Sequence, residues 1–211
     1  MPIFNMEEKK VLFVRVPRAG GDHIYDWLSQ CGRVSLLQQK SISSLRVPPQ
    51  HLPYNDIVSL LGNVWDYAFA VVRNPYQRMG REFFCSLTKQ QQQDPRKWPD
   101  FTRWVTIQLH NAHIDPFYKE NHFCPQSELV GEGLDVYRLE DGLSGLQDKL
   151  RLVANIKCEV ITEYPVDSYH DKIIWTNDAL SAVNRFYHND FSKFGYTMVK
   201  PNYKKVADQF V

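Results

Sequence analysis

Two short stretches bring together residue types that bind anions. The first is RVPRAGGDH, residues 15–23. Arg18 offers a full charge and a planar donor fork. Ala19, Gly20 and Gly21 let backbone N–H groups crowd an anion, and a helix starting there adds partial positive charge. The stretch lacks the Gly-Lys-Ser/Thr of a Walker loop. Taken by its residues alone, it is either an anion cradle or a tight strand–helix turn that needs glycine. The second stretch is VVRNPYQRMGR, residues 71–81. Arg73 falls at a strand end, Asn74 can cap a helix and Pro75 suits its first turn. Arg78 and Arg81 follow at i and i+3 on one helical face. The competing reading is a solvated face of ion pairs.

The histidines are the other reactive side chains. A neutral imidazole can take a proton near pH 7. His51, in HLPYNDI, reads by its residues alone as an exposed loop histidine beside prolines. His110, His113, His122 and Cys124 include an i, i+3 pair but fit no familiar zinc spacing, so no metal site is expected.

The elements that must hold these residues follow from apolar patterning. Residues 11–16 and 67–72 are continuous apolar runs, suited to buried parallel strands. Shorter strands are expected over 33–37 and 135–139. Helices are expected over 22–31, with Ile24, Trp27, Leu28 and Cys31 on one face, and over 55–61, stopped by Gly62. Others are expected from 75 to about 89, over 101–110, over 143–153 and over 178–194, the last ended by Gly195. Strands alternating with helices predict an α/β fold with a mainly parallel sheet. Ligands in such sheets sit beyond the carboxyl ends of the strands, where both arginine stretches fall.

A chain of 211 residues suits one domain spanning 1–211. The breaks at 41–53 and 89–100 read as surface loops. A net charge of +1 excludes a broadly basic nucleic-acid coat but leaves room for a local basic pocket. No apolar run is long enough to span a bilayer, and the N-terminus lacks signal-peptide character, so a cytoplasmic chain with neither nucleic-acid nor membrane partner is expected. The four cysteines are widely spaced, and reduced thiols are expected.

The two arginine stretches together resemble the nucleotide-binding segments of sulfotransferases that use 3′-phosphoadenosine 5′-phosphosulfate (PAPS). The family's first segment reads approximately Pro-Lys-Thr-Gly-Gly-Thr-Ser, against Pro17-Arg18-Ala19-Gly20-Gly21-Asp22-His23 here. Its second reads approximately Val-Arg-Asn-Pro-Tyr-x-Arg-x-x-Ser, against residues 72–81 here. HLPYNDI (51–57), NHFCPQSELV (121–130), DVYRLEDGLSGLQDKL (135–150) and FYHNDFSKFGY (186–196) resemble further pieces of the carbohydrate branch, the uronyl 2-O-sulfotransferases among them. The resemblance runs through nearly the whole chain in order.

It implies a P-loop-like three-layer fold, with PAPS as sulfuryl donor and no metal. A carbohydrate hydroxyl would be the acceptor. Arg18, Ala19, Gly20, Gly21, Asp22 and His23 would hold the 5′-phosphosulfate. Arg73, with Arg78 and Arg81, would hold the 3′-phosphate. Arg18 would clamp the leaving group and His51 would be the base. His122 would orient a loop or the acceptor, and Trp98, Trp104, Tyr118 and Phe123 would flank the acceptor side. Trp27 and Trp104 also read as core. The departures are Arg18 for lysine, Asp22 and His23 for hydroxyl residues, and Arg81 for serine. Asp22 repels a bound phosphosulfate unless Arg15, Arg18 or His23 neutralises it. Two readings follow: an active sulfotransferase, or a degenerate member that binds a nucleotide or anionic glycan.

Overall fold

The computed structural model describes residues 2–35, 44–158 and 169–202. The chain divides into two compact units interleaved in sequence: Met1–Arg73 with Pro116–Val166, and Asn74–Asp115 with Asp167–Val211.

The first unit carries the sheet. Its strands are β1 (Ile3–Met6), β2 (Lys9–Val14), β3 (Arg33–Ser35), β4 (Tyr67–Val72) and β5 (Asp135–Arg138), in the order β3-β1-β2-β4-β5. β2 pairs in parallel with β4, and β4 with β5. β1 runs antiparallel to both β2 and β3. The sheet is therefore mixed, not mainly parallel as patterning predicted. The difference comes from β1, four residues that fold back on β2 through a tight turn with Glu7 at φ 40°. The strand expected over 33–37 ends within the described residues at Ser35; its last two positions, and the start of the 41–53 loop, lie outside them.

Helices flank this sheet. Helix α1 (Gly21–Ser29) follows β2, α2 (Tyr54–Leu61) precedes β4, the short α6 (Gln126–Leu129) precedes β5, and α7 (Ser144–Ala154) follows β5. Ile24, Trp27 and Leu28 of α1 and Leu146, Leu150 and Ala154 of α7 pack with Phe4, Phe13, Phe69 and Val71 of the strands. Trp27 is core, as expected. Alternation along the strands also buries Leu12, Val14, Ala68, Ala70 and Val72 on the opposite face. The Tyr67 hydroxyl donates to the Asp135 carboxylate at 2.9 Å, tying β4 to β5. Cys31 and Cys158 are joined in a disulfide with Cα atoms 5.7 Å apart, a correction to the expected thiols.

The second unit is helical. It contains α3 (Pro75–Ser86), α4 (Lys89–Gln93), α5 (Phe101–Ile114), α8 (Asn177–Phe186) and α9 (His188–Phe194). Asn74 caps α3 as predicted, its side chain accepting from the Tyr76 N–H at 3.0 Å. α3 ends before residue 89 because Thr88 and Gln91 form a capping box that starts α4. The single helix expected over 178–194 breaks at Tyr187 into α8 and α9. Phe83 sits at the centre of an aromatic cluster, edge-on to Trp98, Phe101 and Trp104. The Tyr76 hydroxyl accepts from the Val199 N–H at 2.9 Å and donates to Asn184, fastening the segment after α9 to α3 and α8.

Candidate functional site

The β2–α1 turn folds as an open cradle. Arg18 and Gly20 both take left-handed backbone, φ 64° and 82°. Gly20 is the N-cap of α1 and makes no side-chain cap hydrogen bond. The first-turn N–H groups therefore receive no capping oxygen from that position, which leaves the helix start suited to an external anion. Ala19 is buried and anchors the turn through its N–H to the Val16 carbonyl. Arg18, Gly20, Gly21 and His23 are partly exposed along it.

Asp22 has a partner. The guanidinium of Arg15, only 11 % exposed, donates to its carboxylate at 2.6 Å. Arg15 lies across the start of α1: a Cβ added at Gly21 would stand 3.0 Å from its Nε. Glycine eases that close approach, since a Cβ here would make the Arg15 side chain give by a few tenths of an ångström. The carboxylate that would repel a phosphosulfate is thus paired by the cation at the end of β2.

Arg73, the residue after β4, meets the first turn directly. Its Nη1 donates to the Arg18 carbonyl at 3.4 Å. Its main chain is held by Gln126, a fully buried side chain. Gln126 Oε1 accepts from the Arg73 N–H at 2.9 Å and Nε2 donates to the Arg73 carbonyl at 2.8 Å. The β4–β5 ladder ends at Val72, so this side-chain amide supplies the next rung.

His51 belongs to the same unit and is only 7 % exposed, not the solvated loop histidine that its residues alone suggest. Its ring lies edge-on to His122, with centroids 5.0 Å apart. It hydrogen-bonds the Glu120 main chain, while its Nδ1 has no hydrogen-bond partner. Burial, reinforced by the nearby His122 and Arg15 charges, pushes its pKa down to about 3. His51 is accordingly a neutral imidazole with one lone pair unused. The Asn121 side chain donates to the His51 carbonyl at 3.0 Å.

One segment serves both groups. Lys119, Glu120 and Asn121 take left-handed backbone in succession, φ 47°, 57° and 68°. Such geometry costs of order 1 kcal/mol per residue and persists only when its surroundings enforce it. It turns the chain so that 120–122 meet His51 and Gln126 meets Arg73. By sequence, 121–130 stands out only as a motif containing Pro125-Gln126, and nothing in it marks Gln126 as buried.

Arg78 and Arg81 lie on α3, in the helical unit. Arg78 is buried with its guanidinium over the Tyr187 ring at 5.6 Å, and Arg81 is partly exposed over Tyr169 at 5.8 Å. Among the expected acceptor aromatics, Phe123 is fully buried and offers no face for a sugar to stack on. Tyr118, Trp98 and Trp104 are partly exposed, and the Trp98 indole donates to the Gln91 carbonyl at 2.7 Å. Among the described residues, no group of three or more His, Cys, Asp or Glu side chains is placed to hold a metal ion, and no helix is long and apolar enough to cross a membrane.

No family model matches the chain, and neither a curated protein nor a solved structure is significantly similar to it.

Proposed function

We propose that the chain is a sulfotransferase of P-loop-like fold, moving a sulfuryl group from PAPS to an acceptor hydroxyl on a carbohydrate. The observation that carries this reading is His51: a buried, neutral imidazole whose Nδ1 lacks a proton donor, held near a cationic strand–helix turn. Such a nitrogen is costly to bury unpaired, and a hydroxyl donor that reached it on opening of the enclosing side chains would relieve that cost.

The residues fit the donor. The α1 amides with Arg18 suit a phosphosulfate, and Arg73 donates into the same turn. Bound there, the donor supplies the sulfuryl group and leaves as adenosine 3′,5′-bisphosphate. His51 Nδ1 takes the acceptor proton as the acceptor oxygen forms its bond to sulfur and the bond to the bridging phosphate oxygen breaks. Arg18 stabilises the charge left on that phosphate, the kind of fixed electrostatic aid that lowers such barriers most. Arg18 cannot serve as a proton donor, so the leaving group departs as an anion. Burial is the main cause of the depressed His51 pKa, with His122 and then Arg15 adding to it, so a donor anion beside Arg15 would offset only a lesser part of that shift.

The Cys31–Cys158 disulfide favours an oxidising compartment over the cytoplasm expected from the sequence.

The test is transfer from radiolabelled PAPS to a panel of hydroxyl acceptors, glycans first, with wild type and His51→Ala. Transfer abolished by His51→Ala supports the reading. Binding of the bisphosphate product without any transfer points instead to the degenerate, binding-only form. Absence of both defeats the proposal.

A further inference from the structure

We infer that Gln126 is a positioning residue, fixing Arg73 for the donor; this rests on the sulfotransferase reading. Arg73 is the first residue beyond the β4 ladder, and a strand end without a partner is free to fray. Gln126 removes that freedom. Its amide satisfies both main-chain groups of Arg73, at 2.9 and 2.8 Å, from a side chain with no solvent exposure. Two bonds from one planar amide fix the Arg73 peptide planes in orientation as well as position. The direction in which Cα–Cβ leaves the chain is then set, and with it where the guanidinium reaches. That guanidinium meets the Arg18 carbonyl at 3.4 Å, at the long end of hydrogen-bond distances.

A buried glutamine whose amide makes two hydrogen bonds to another residue's backbone does more than pack. An apolar side chain would fill the same volume, but it would leave the Arg73 N–H and carbonyl unsatisfied. No other residue type does both jobs at this reach: asparagine is one methylene shorter, and glutamate keeps the acceptor but loses the donor. Gln126 thus acts on a ligand only through Arg73, and its effect must vanish when Arg73 has no guanidinium.

The test is calorimetric titration of the full chain with adenosine 3′,5′-bisphosphate at low salt. Wild type, Arg73→Ala, Gln126→Ala, Gln126→Glu and the Arg73→Ala/Gln126→Ala double variant are compared, each with its unfolding temperature. The expected result is a tenfold or greater loss for Arg73→Ala and for Gln126→Ala, an intermediate loss for Gln126→Glu, and a double variant no weaker than Arg73→Ala. Amide hydrogen exchange on unliganded wild type is the companion measurement, expected to show a protected Arg73 N–H. Wild-type affinity in a folded Gln126→Ala chain overturns the inference and leaves the sulfotransferase reading standing. So does a Gln126→Ala loss of equal size with and without the Arg73 guanidinium, and so does an unprotected Arg73 amide should the variants fail to fold. A wild type that binds no bisphosphate overturns the reading and this inference together.

Discussion

Arg15 and Asp22 are joined at 2.6 Å across the start of α1, with the arginine side chain 11 % exposed and the aspartate 87 % exposed. The asymmetry matters. The cation is held beneath the turn while the carboxylate stands in water, so the pair is easily remade on an incoming anion. Asp22→Asn keeps the shape of the side chain and removes its charge. Bisphosphate affinity is expected to rise about two- to fivefold, the scale of one partly screened charge. Titration of the variant at two salt concentrations checks this, and an affinity below wild type would show that Asp22 aids the anion instead.

His51 gives the stability a defined dependence on acid. Its folded pKa, about 3, lies below the ordinary histidine value of about 6.5, so the unfolded chain binds the extra proton. Its contribution is fully present above about pH 6.5 and is lost as pH falls toward 3. His51→Gln should therefore lose less stability over that window than wild type, by roughly 3–5 kcal/mol at its acid end. Urea unfolding at a series of pH values reads the difference. Parallel curves for the two proteins would mean that His51 is not held neutral.

Asn121 has both a hydrogen bond and a backbone conformation to lose. Asn121→Ala removes the bond to the His51 carbonyl, at about 1–3 kcal/mol, and also places a Cβ-bearing residue of poorer left-handed tolerance at φ 68°. Asn121→Gly removes the bond but relieves the backbone. The glycine variant should be more stable than the alanine variant by about 1 kcal/mol. Equal stabilities in denaturant melts would remove the case for strain at 119–121.

The Cys31–Cys158 bond closes a sequence separation of 127 residues. Reduction, or the Cys31→Ser/Cys158→Ser pair, should lower stability by roughly 2–5 kcal/mol and the Tm by roughly 5–15 °C. Thiol titration of the denatured chain without reductant should find Cys85 and Cys124 only. Four reactive thiols would exclude the disulfide.

The sequence exposed the parts of the fold that repeat a pattern. β2 and β4 are apolar runs, α1 has its buried face at i, i+3 and i+4, and Asn74-Pro75 announces the start of α3. β1 escaped because four residues, Ile-Phe-Asn-Met, carry too little periodicity, and its pairing with β2 is what makes the sheet mixed. The α8–α9 break escaped because apolar spacing continues smoothly through Tyr187. In the candidate site, residue types pointed to Arg18 and Arg73, and the resemblance pointed to His51. The roles of Gln126 and Asn121 did not show, since both act through hydrogen bonds to main-chain atoms 53 and 70 residues away. Only three-dimensional proximity reveals a partner with no side-chain chemistry of its own.

Those same separations govern how the site comes into being. During synthesis, Arg73 and His51 leave the ribosome well before residues 119–126, and until that stretch arrives neither has its support. Closing such loops costs entropy that is repaid only when the distant contacts form. A ligand that binds only the assembled site would act as a pharmacological chaperone, drawing a half-assembled chain toward the native state by mass action.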